Sequence, residues 1–307
     1  MIKKYLSLVK FSHTIFAMPF AMIGFFLGVL SDPTPRQWNL NKTVGWMPSP
    51  TIVSADWKYF AVKFALVLLC MVFARSAAMA FNRWLDKNFD ALNPRTAIRE
   101  IPAGIISANH ALLFVLINSI AFVLTTLFIN PLCFYLSFVA LFVVLFYSYT
   151  KRFTPLCHLV LGVGLSLAPI GAFLAVTGAF SVLPLIFSFV VICWVSGFDI
   201  IYALQDVAFD QSQKLHSIPV WLGKKNALRF SEALHVLSVL LLVVAGIYGH
   251  FHWLYWTGTA VFGGMLLYQH SIVKPHDLSR VNIAFMTANG IASIAFAFFV
   301  ISDMLVR

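Results

Sequence analysis

The sequence predicts an all-α, polytopic membrane protein with nine transmembrane helices, and three observations carry that prediction. Hydrophobic residues make up 61% of the 307 and charged ones only 10%, with a mean hydropathy of +0.88. An ordinary soluble domain does not have this composition. Apolar stretches recur at lengths of about 20 residues, which is what a helix needs to cross a bilayer. The basic residues fall mostly in loops on alternate sides of those stretches.

The stretches lie at 13–31, 58–81, 107–129, 132–149, 157–178, 182–204, 227–249, 252–272 and 281–303. The first follows Lys3, Lys4 and Lys10, and no small-residue cleavage site leads from it into a soluble domain, so it reads as a span. Asn130-Pro131 and residues 249–252 leave room only for tight turns. The long loop 32–57 is rich in Pro, Trp and Asn, and Trp38, Trp46 and Trp57 are placed to anchor it at the membrane interface. Residues 1–307 read as a single transmembrane domain.

Orientation follows from the lysines and arginines. With the N-terminus cytoplasmic and the C-terminus outside, the inner segments hold fifteen basic residues and the outer ones four. That is a strong positive-inside bias. The net charge of +10 is therefore a topology signal and not a nucleic-acid one. Cys70, Cys133, Cys157 and Cys193 are scattered without ligand spacing and read as small core residues.

Function is written in the charges that remain. Asn82, Asp86 and Asp90 are spaced i, i+4, i+8, so on a helix they line one face. At the end of the sixth span Asp199, Tyr202, Asp206 and Asp210 share a face by the same arithmetic. Both stripes meet the cytoplasmic interface, and they hold five of the eleven acidic residues. Carboxylates gathered without cations repel and raise one another's pKa. An oxygen-only stripe suits a hard ion such as Mg²⁺, which prefers phosphate oxygens as its remaining ligands. The plain alternative for either stripe is a solvated helix end.

Basic residues stand beside these acids. Arg95 and Arg99 follow the first stripe, and Pro102 and Gly104 mark a loop. Lys151 and Arg152 lie in the next inner loop and Lys214 follows the second stripe, each within range of a diphosphate or simply a topology signal. Arg75, two turns before Asn82, is costly against lipid and so faces the cavity, either in a structural pair or holding an anionic substrate. His13, at the inner start of the first span, is a helix-end packing residue or part of the site.

At this point the chain resembles the UbiA-type superfamily of intramembrane aromatic prenyltransferases. The family pattern Asn-Asp-x-x-Asp-x-x-x-Asp appears as Asn82-Arg83-Trp84-Leu85-Asp86-Lys87-Asn88-Phe89-Asp90, with Arg83 in place of the first aspartate. Arg-Thr-Ala-Asn-Arg-x-x-Pro-x-Gly appears as Arg95, Thr96, Ala97, Ile98, Arg99, Pro102 and Gly104, with Ile98 in place of asparagine. Asp-x-x-Tyr-x-x-x-Asp is intact at Asp199, Tyr202 and Asp206, and Lys151-Arg152-x-Thr154 also matches. The segments KFSHTIFAMPFA, ARSAAMAFNR and LHSIPVWLG resemble the 4-hydroxybenzoate polyprenyltransferase group, including the enzymes of the futalosine route to menaquinone.

The resemblance implies helices around a cavity open to the cytoplasmic face and lipid, in a bacterial inner membrane. It implies that Asn82, Asp86, Asp90, Asp199, Asp206 and Asp210 hold Mg²⁺ on a polyprenyl diphosphate. Arg99, Lys151 and Arg152 would steady the departing diphosphate, Tyr202 would orient an aspartate or line the cavity, and Arg75 would hold the carboxylate of an aromatic acid acceptor, 1,4-dihydroxy-6-naphthoate or 4-hydroxybenzoate. Haem- or chlorophyll-type prenyl transfer and an ion-coupled transporter are the alternatives. A transporter places its charges near the bilayer midplane in two similar halves, whereas these acids lie at inner helix ends.

Overall fold

A computed structural model describes residues 2–9, 17–31, 36–44, 47–52 and 57–306. Its helices are α1 (Ile2–Leu8), α2 (Met18–Ser31), α3 (Trp57–Leu85), α4 (Lys87–Leu92), α5 (Ala108–Leu127), α6 (Pro131–Thr150), α7 (Cys157–Thr177), α8 (Val182–Ala203), α9 (Val207–Ser212), α10 (Ile218–Tyr248), α11 (Trp253–Ile272) and α12 (Asn289–Val306). A π-helical turn, Ile283–Ala288, leads into α12. The expected outer loop contains β1 (Arg36–Val44) and β2 (Met47–Ile52), an antiparallel hairpin.

The protein is an integral membrane protein. Among the described residues seven helical segments are long and apolar enough to cross a bilayer, against the nine spans expected. The difference lies in α11, which is not among the seven, and in α2, whose apolar part Met18–Leu30 is short; the remainder of the first drawn span lies outside the described residues.

Local signals explain the sharp turns. Asn130 caps α6 by accepting from the Cys133 amide at 2.8 Å, with Pro131 opening the helix. Its side-chain amide also donates to Leu174 O at 2.8 Å, which ties the α5–α6 turn to α7. Ser107 and Ser217 cap α5 and α10 in the same way. Within α10, Gly223 at φ +74° sets a short first turn off from the long helix.

Without a hydrophobic drive between helices in lipid, close packing needs small side chains. Gly24 of α2 lies so near Pro169 of α7 that a Cβ would meet its carbonyl oxygen at 2.0 Å. A Cβ on Gly162 of α7 would likewise meet Ser196 Oγ at 2.5 Å and Ile192 O at 2.7 Å on α8. Phe20, Trp194, Phe262 and Phe296 fill the core between α2, α8, α11 and α12. The buried Trp194 indole donates to Asn289 Oδ1 at 2.8 Å. Packing therefore accounts for much of the phenylalanine, as expected. The α3, α5, α6 and α7 helices form the other side of the molecule, and a cavity of about 350 Å³ lies between them.

Candidate active site

Both acidic stripes sit where a long helix gives way to a short one. The α3 helix stops at Leu85, Asp86 takes φ −92° and ψ 7°, and α4 follows. The α8 helix stops at Ala203, a 3₁₀ turn runs from Leu204 to Asp206, and Asp206 takes φ −102° and ψ 2° before α9. The stripes expected on unbroken helical faces thus each bend at the middle aspartate. This corrects the simple arithmetic of spacing. Both residues occupy the sparsely populated bridge region of backbone space, where active-site residues are often found. After each bend a deeply buried carboxylate follows, Asp90 at 6% exposure and Asp210 at 0%.

The five carboxylates do not face one another bare, because each has a basic partner from this chain. Asp86 Oδ1 is 2.9 Å from Arg152 Nη2, and Asp90 Oδ1 is 2.7 Å from Arg99 Nη1. Asp210 Oδ1 is 2.7 Å from Lys151 Nζ, and Asp206 Oδ2 is 2.5 Å from Arg95 Nη2. Asp199 Oδ2 is 2.6 Å from His158 Nδ1. Asn82 donates to the other oxygen of Asp86 at 3.2 Å. Arg95, from the loop after the first stripe, reaches the second stripe and also donates to the Tyr202 hydroxyl at 3.0 Å. The two stripes are therefore joined by the chain's own cations.

Electrostatics record the pairing. Burial pushes the Asp86 carboxyl above the usual carboxylate range, against the pull of Arg152. For Lys151 burial lowers the pKa, and the adjacent Asp210 outweighs it, so the ammonium is held charged.

Sequence reasoning read Arg95 only as a cation beside the first stripe, suited to a polyphosphate, and singled out neither Tyr147 nor His158. Tyr147 stands four residues before Lys151 on the same helix face, a signal that was available. It lines the cavity with Arg75 and lies within electrostatic reach of Asp86 and Asp199. His158, 3% exposed, is an ionisable residue at the end of a span, itself a mark of function in membranes. A carboxylate only accepts, so the imidazole donates and holds Asp199 in place. His158→Ala is expected to lower donor turnover about 10–100-fold, the usual cost of losing a ligand's supporting hydrogen bond. His158→Gln, which keeps a donor, should recover part of it. Unchanged kcat/KM in a folded His158→Ala protein would refute the positioning role.

Other assignments separate. Arg83, the departure from the family pattern, is 4% exposed and lies 3.3 Å from Glu100, which also accepts from Ser7. It fastens α3 to the loop and to α1. Lys214 is exposed at φ +55° and forms no ion pair among the described residues, so the structure does not bring it to the acids. His13 lies outside the described residues. Arg75 Nε is buried without a hydrogen-bond partner beside the apolar cavity.

Among the described residues no three His, Cys, Asp or Glu side chains already stand close enough to hold a metal. The donor set nonetheless fits a hard cation. It is all oxygen, and Asp90 Oδ2 is buried with no hydrogen-bond partner, a cost that a cation would relieve.

Carboxylates and cations interleave beyond one end of an apolar cavity inside a helical membrane bundle, an arrangement that suits an anionic group carrying a lipid tail. Residues 43–296 match the model of the UbiA prenyltransferase family, and the chain belongs to that family: it is a prenyltransferase. It is 31% identical over 232 residues to a 4-hydroxybenzoate octaprenyltransferase of Francisella tularensis subsp. novicida, covering 75% of this chain and 81% of the relative. A protein of the same description from Nitrosomonas europaea is 29% identical over 271 residues, covering 88% and 89%. The apo structure of a UbiA homolog from Aeropyrum pernix superposes with a TM-score of 0.74 at 27% identity, covering 96% of this chain and 97% of that one. A UbiA homolog from Archaeoglobus fulgidus bound to GPP and Mg²⁺ shares the fold, with a TM-score of 0.67 at 20% identity and coverage of 97% and 99%.

Proposed function

We propose that the protein transfers a polyprenyl group from polyprenyl diphosphate to a hydroxylated aromatic acid in quinone biosynthesis, forming a C–C bond and releasing diphosphate. The observation that carries this reading is the pair of bent acidic stripes, interleaved with cations, at the polar end of an apolar cavity. The names of the relatives support 4-hydroxybenzoate as acceptor, and the motif resemblance leans slightly to 1,4-dihydroxy-6-naphthoate.

Asn82, Asp86 and Asp90 from one stripe and Asp199, Asp206 and Asp210 from the other would hold Mg²⁺. Bound there, Mg²⁺ supplies charge neutralisation for the leaving diphosphate. Arg99, Lys151 and Arg152 turn from the carboxylates to the diphosphate oxygens and stabilise the charge that develops as the C1–O bond ionises. The apolar cavity keeps water from the allylic cation until the electron-rich ring attacks it, and the attacked ring carbon then gives up its proton to the released diphosphate, which restores aromaticity. Arg75 holds the acceptor carboxylate, with Tyr147 beside it. The acidic stripes face the cytoplasm, with the N-terminus on that side and the C-terminus outside, in a bacterial inner membrane.

Purified protein supplied with Mg²⁺, a polyprenyl diphosphate and both acceptors in competition tests the reading, with products identified by mass spectrometry. A single prenylated acid is expected, and no prenylated acid from either acceptor would refute it. EDTA should abolish the reaction and added Mg²⁺ restore it, as the oxygen-only donor set requires. Full turnover by thoroughly metal-stripped enzyme would sink the metal assignment.

A further inference from the structure

The middle aspartates of the two acidic stripes differ in how an arginine grips them. In the first, Asp86 meets Arg152 through one oxygen only, at 2.9 Å, and accepts from Asn82 through the other at 3.2 Å, while each stripe keeps a buried carboxylate oxygen without a hydrogen-bond partner, Asp90 Oδ2 and Asp210 Oδ2. In the second, Arg95 takes both oxygens of Asp206, with Nε 3.0 Å from Oδ1 and Nη2 2.5 Å from Oδ2. Its remaining Nη1 donates to the Tyr202 hydroxyl at 3.0 Å, and its guanidinium lies 5.4 Å from the centre of that ring. Asn93 adds a third contact to Asp206, at 3.4 Å, while its own Oδ1 accepts from the Arg95 amide at 3.0 Å. This two-pronged geometry is the strong form of a carboxylate–arginine contact.

A cation approaching Asp206 therefore meets a guanidinium already in its place. Displacing Arg95 into nothing would leave a positive charge beside the incoming ion. A diphosphate removes that obstacle, because its oxygens accept the same fork that the carboxylate accepts. We propose that Arg95 is a latch on the second stripe: a divalent cation occupies Asp206 only when a diphosphate has taken the arginine, whereas the first stripe accepts its cation without one. The assignment rests on the proposed donor and adds to it a binding order and a residue. The latch also holds the start of the 93–106 loop against the end of α8, while the Arg99–Asp90 and Arg83–Glu100 pairs keep the rest of the loop beside the first stripe.

Coupling of this kind is reciprocal, so the cation must tighten diphosphate by the factor by which diphosphate tightens the cation. The test uses Mn²⁺ as the probe, counted by electron paramagnetic resonance on the purified full chain in detergent, with and without inorganic diphosphate. The wild-type protein should bind a single Mn²⁺ alone and a second when diphosphate is present, with affinity for the second improved about 5–150-fold. Arg95→Gln should bind the second Mn²⁺ without diphosphate. Calorimetry of diphosphate binding should show the mirror effect, a strong dependence on Mn²⁺ in wild type that shrinks in Arg95→Gln. Arg95→Lys, which keeps the charge and loses the fork, provides a second variant and should fall between them.

Equal binding of both ions by wild-type protein without diphosphate would overturn the latch, as would an unchanged count in both folded variants. If that same protein still transfers a prenyl group, the function stands and only the latch falls. A wild-type protein that binds neither Mn²⁺ nor diphosphate overturns both.

Discussion

Asp86→Asn and Asp206→Asn are each expected to leave a folded, membrane-inserted protein with turnover reduced by at least about 100–1,000-fold, the scale of losing a preorganised electrostatic contact in a transition state. Each change removes one negative charge from the stripe proposed to bridge metal and diphosphate, and keeps the side chain's shape. The backbone should tolerate it, since asparagine readily adopts unusual turn conformations. Neither partner is stranded. Arg152 still donates to Ser148 O at 3.2 Å and Leu85 O at 3.1 Å, and Arg95 keeps the Tyr202 hydroxyl. Loss of activity with an unchanged elution profile and helical circular dichroism is the expected pattern. Wild-type rates at saturating Mg²⁺ in either variant would rule out the role of the stripes.

Arg75→Ala and Arg99→Ala should separate the two substrates. Arg75 lines the apolar cavity with a buried, unpartnered Nε, so an anionic group there has a donor waiting and little water to compete. Arg99 lies outside that cavity's lining, paired with Asp90 in the loop beyond the first stripe. Losing a charge-assisted contact in such surroundings costs roughly 2–5 kcal/mol, visible in KM or kcat/KM when each substrate is varied in turn. Arg75→Ala should weaken the aromatic acceptor and Arg99→Ala the prenyl diphosphate. If Arg75→Ala raises only the prenyl-diphosphate KM, or changes neither constant in folded enzyme, Arg75 is structural. The Arg99 variant also exposes Asp90 to a missing partner, so its thermal stability should be followed alongside.

What could be read from the chain was whatever depends on near neighbours along it. A run of about 20 apolar residues must become a helix in lipid, because only a helix satisfies its backbone within the segment. The segments drawn from hydropathy accordingly lie on the helices of the bundle, from Trp57–Leu85 to the segment ending at Val306. Spacing of three and four residues likewise predicted that Asn82, Asp86 and Asp90, and then Asp199, Tyr202, Asp206 and Asp210, share helix faces; the structure keeps Asn82 hydrogen-bonded to Asp86 and bends each stripe at its middle aspartate. Family motifs identified Arg83 as a departure, and its burial against Glu100 accounts for it.

Contacts between distant residues were decided by tertiary structure alone. Arg95 and Asp206 are 111 positions apart, and nothing in the loop sequence says that its first arginine crosses to the other stripe while Arg99 stays with its own. His158 meets Asp199 because α7 and α8 pack tightly where Gly162 faces Ser196, and that approach depends on two helices at once. The bends at Asp86 and Asp206 escaped spacing arithmetic because aspartate is an ordinary resident of both helices and helix ends; only the surrounding packing decides which it is. Lys214 shows the converse. It follows the second stripe in sequence, yet a backbone at φ +55° leaves it exposed and outside the ion pairs. The sequence by itself determined the membrane bundle and the acidic stripes, since both follow from local periodicity. The tertiary structure decided which cation holds which carboxylate, since that depends on where separate helix ends meet.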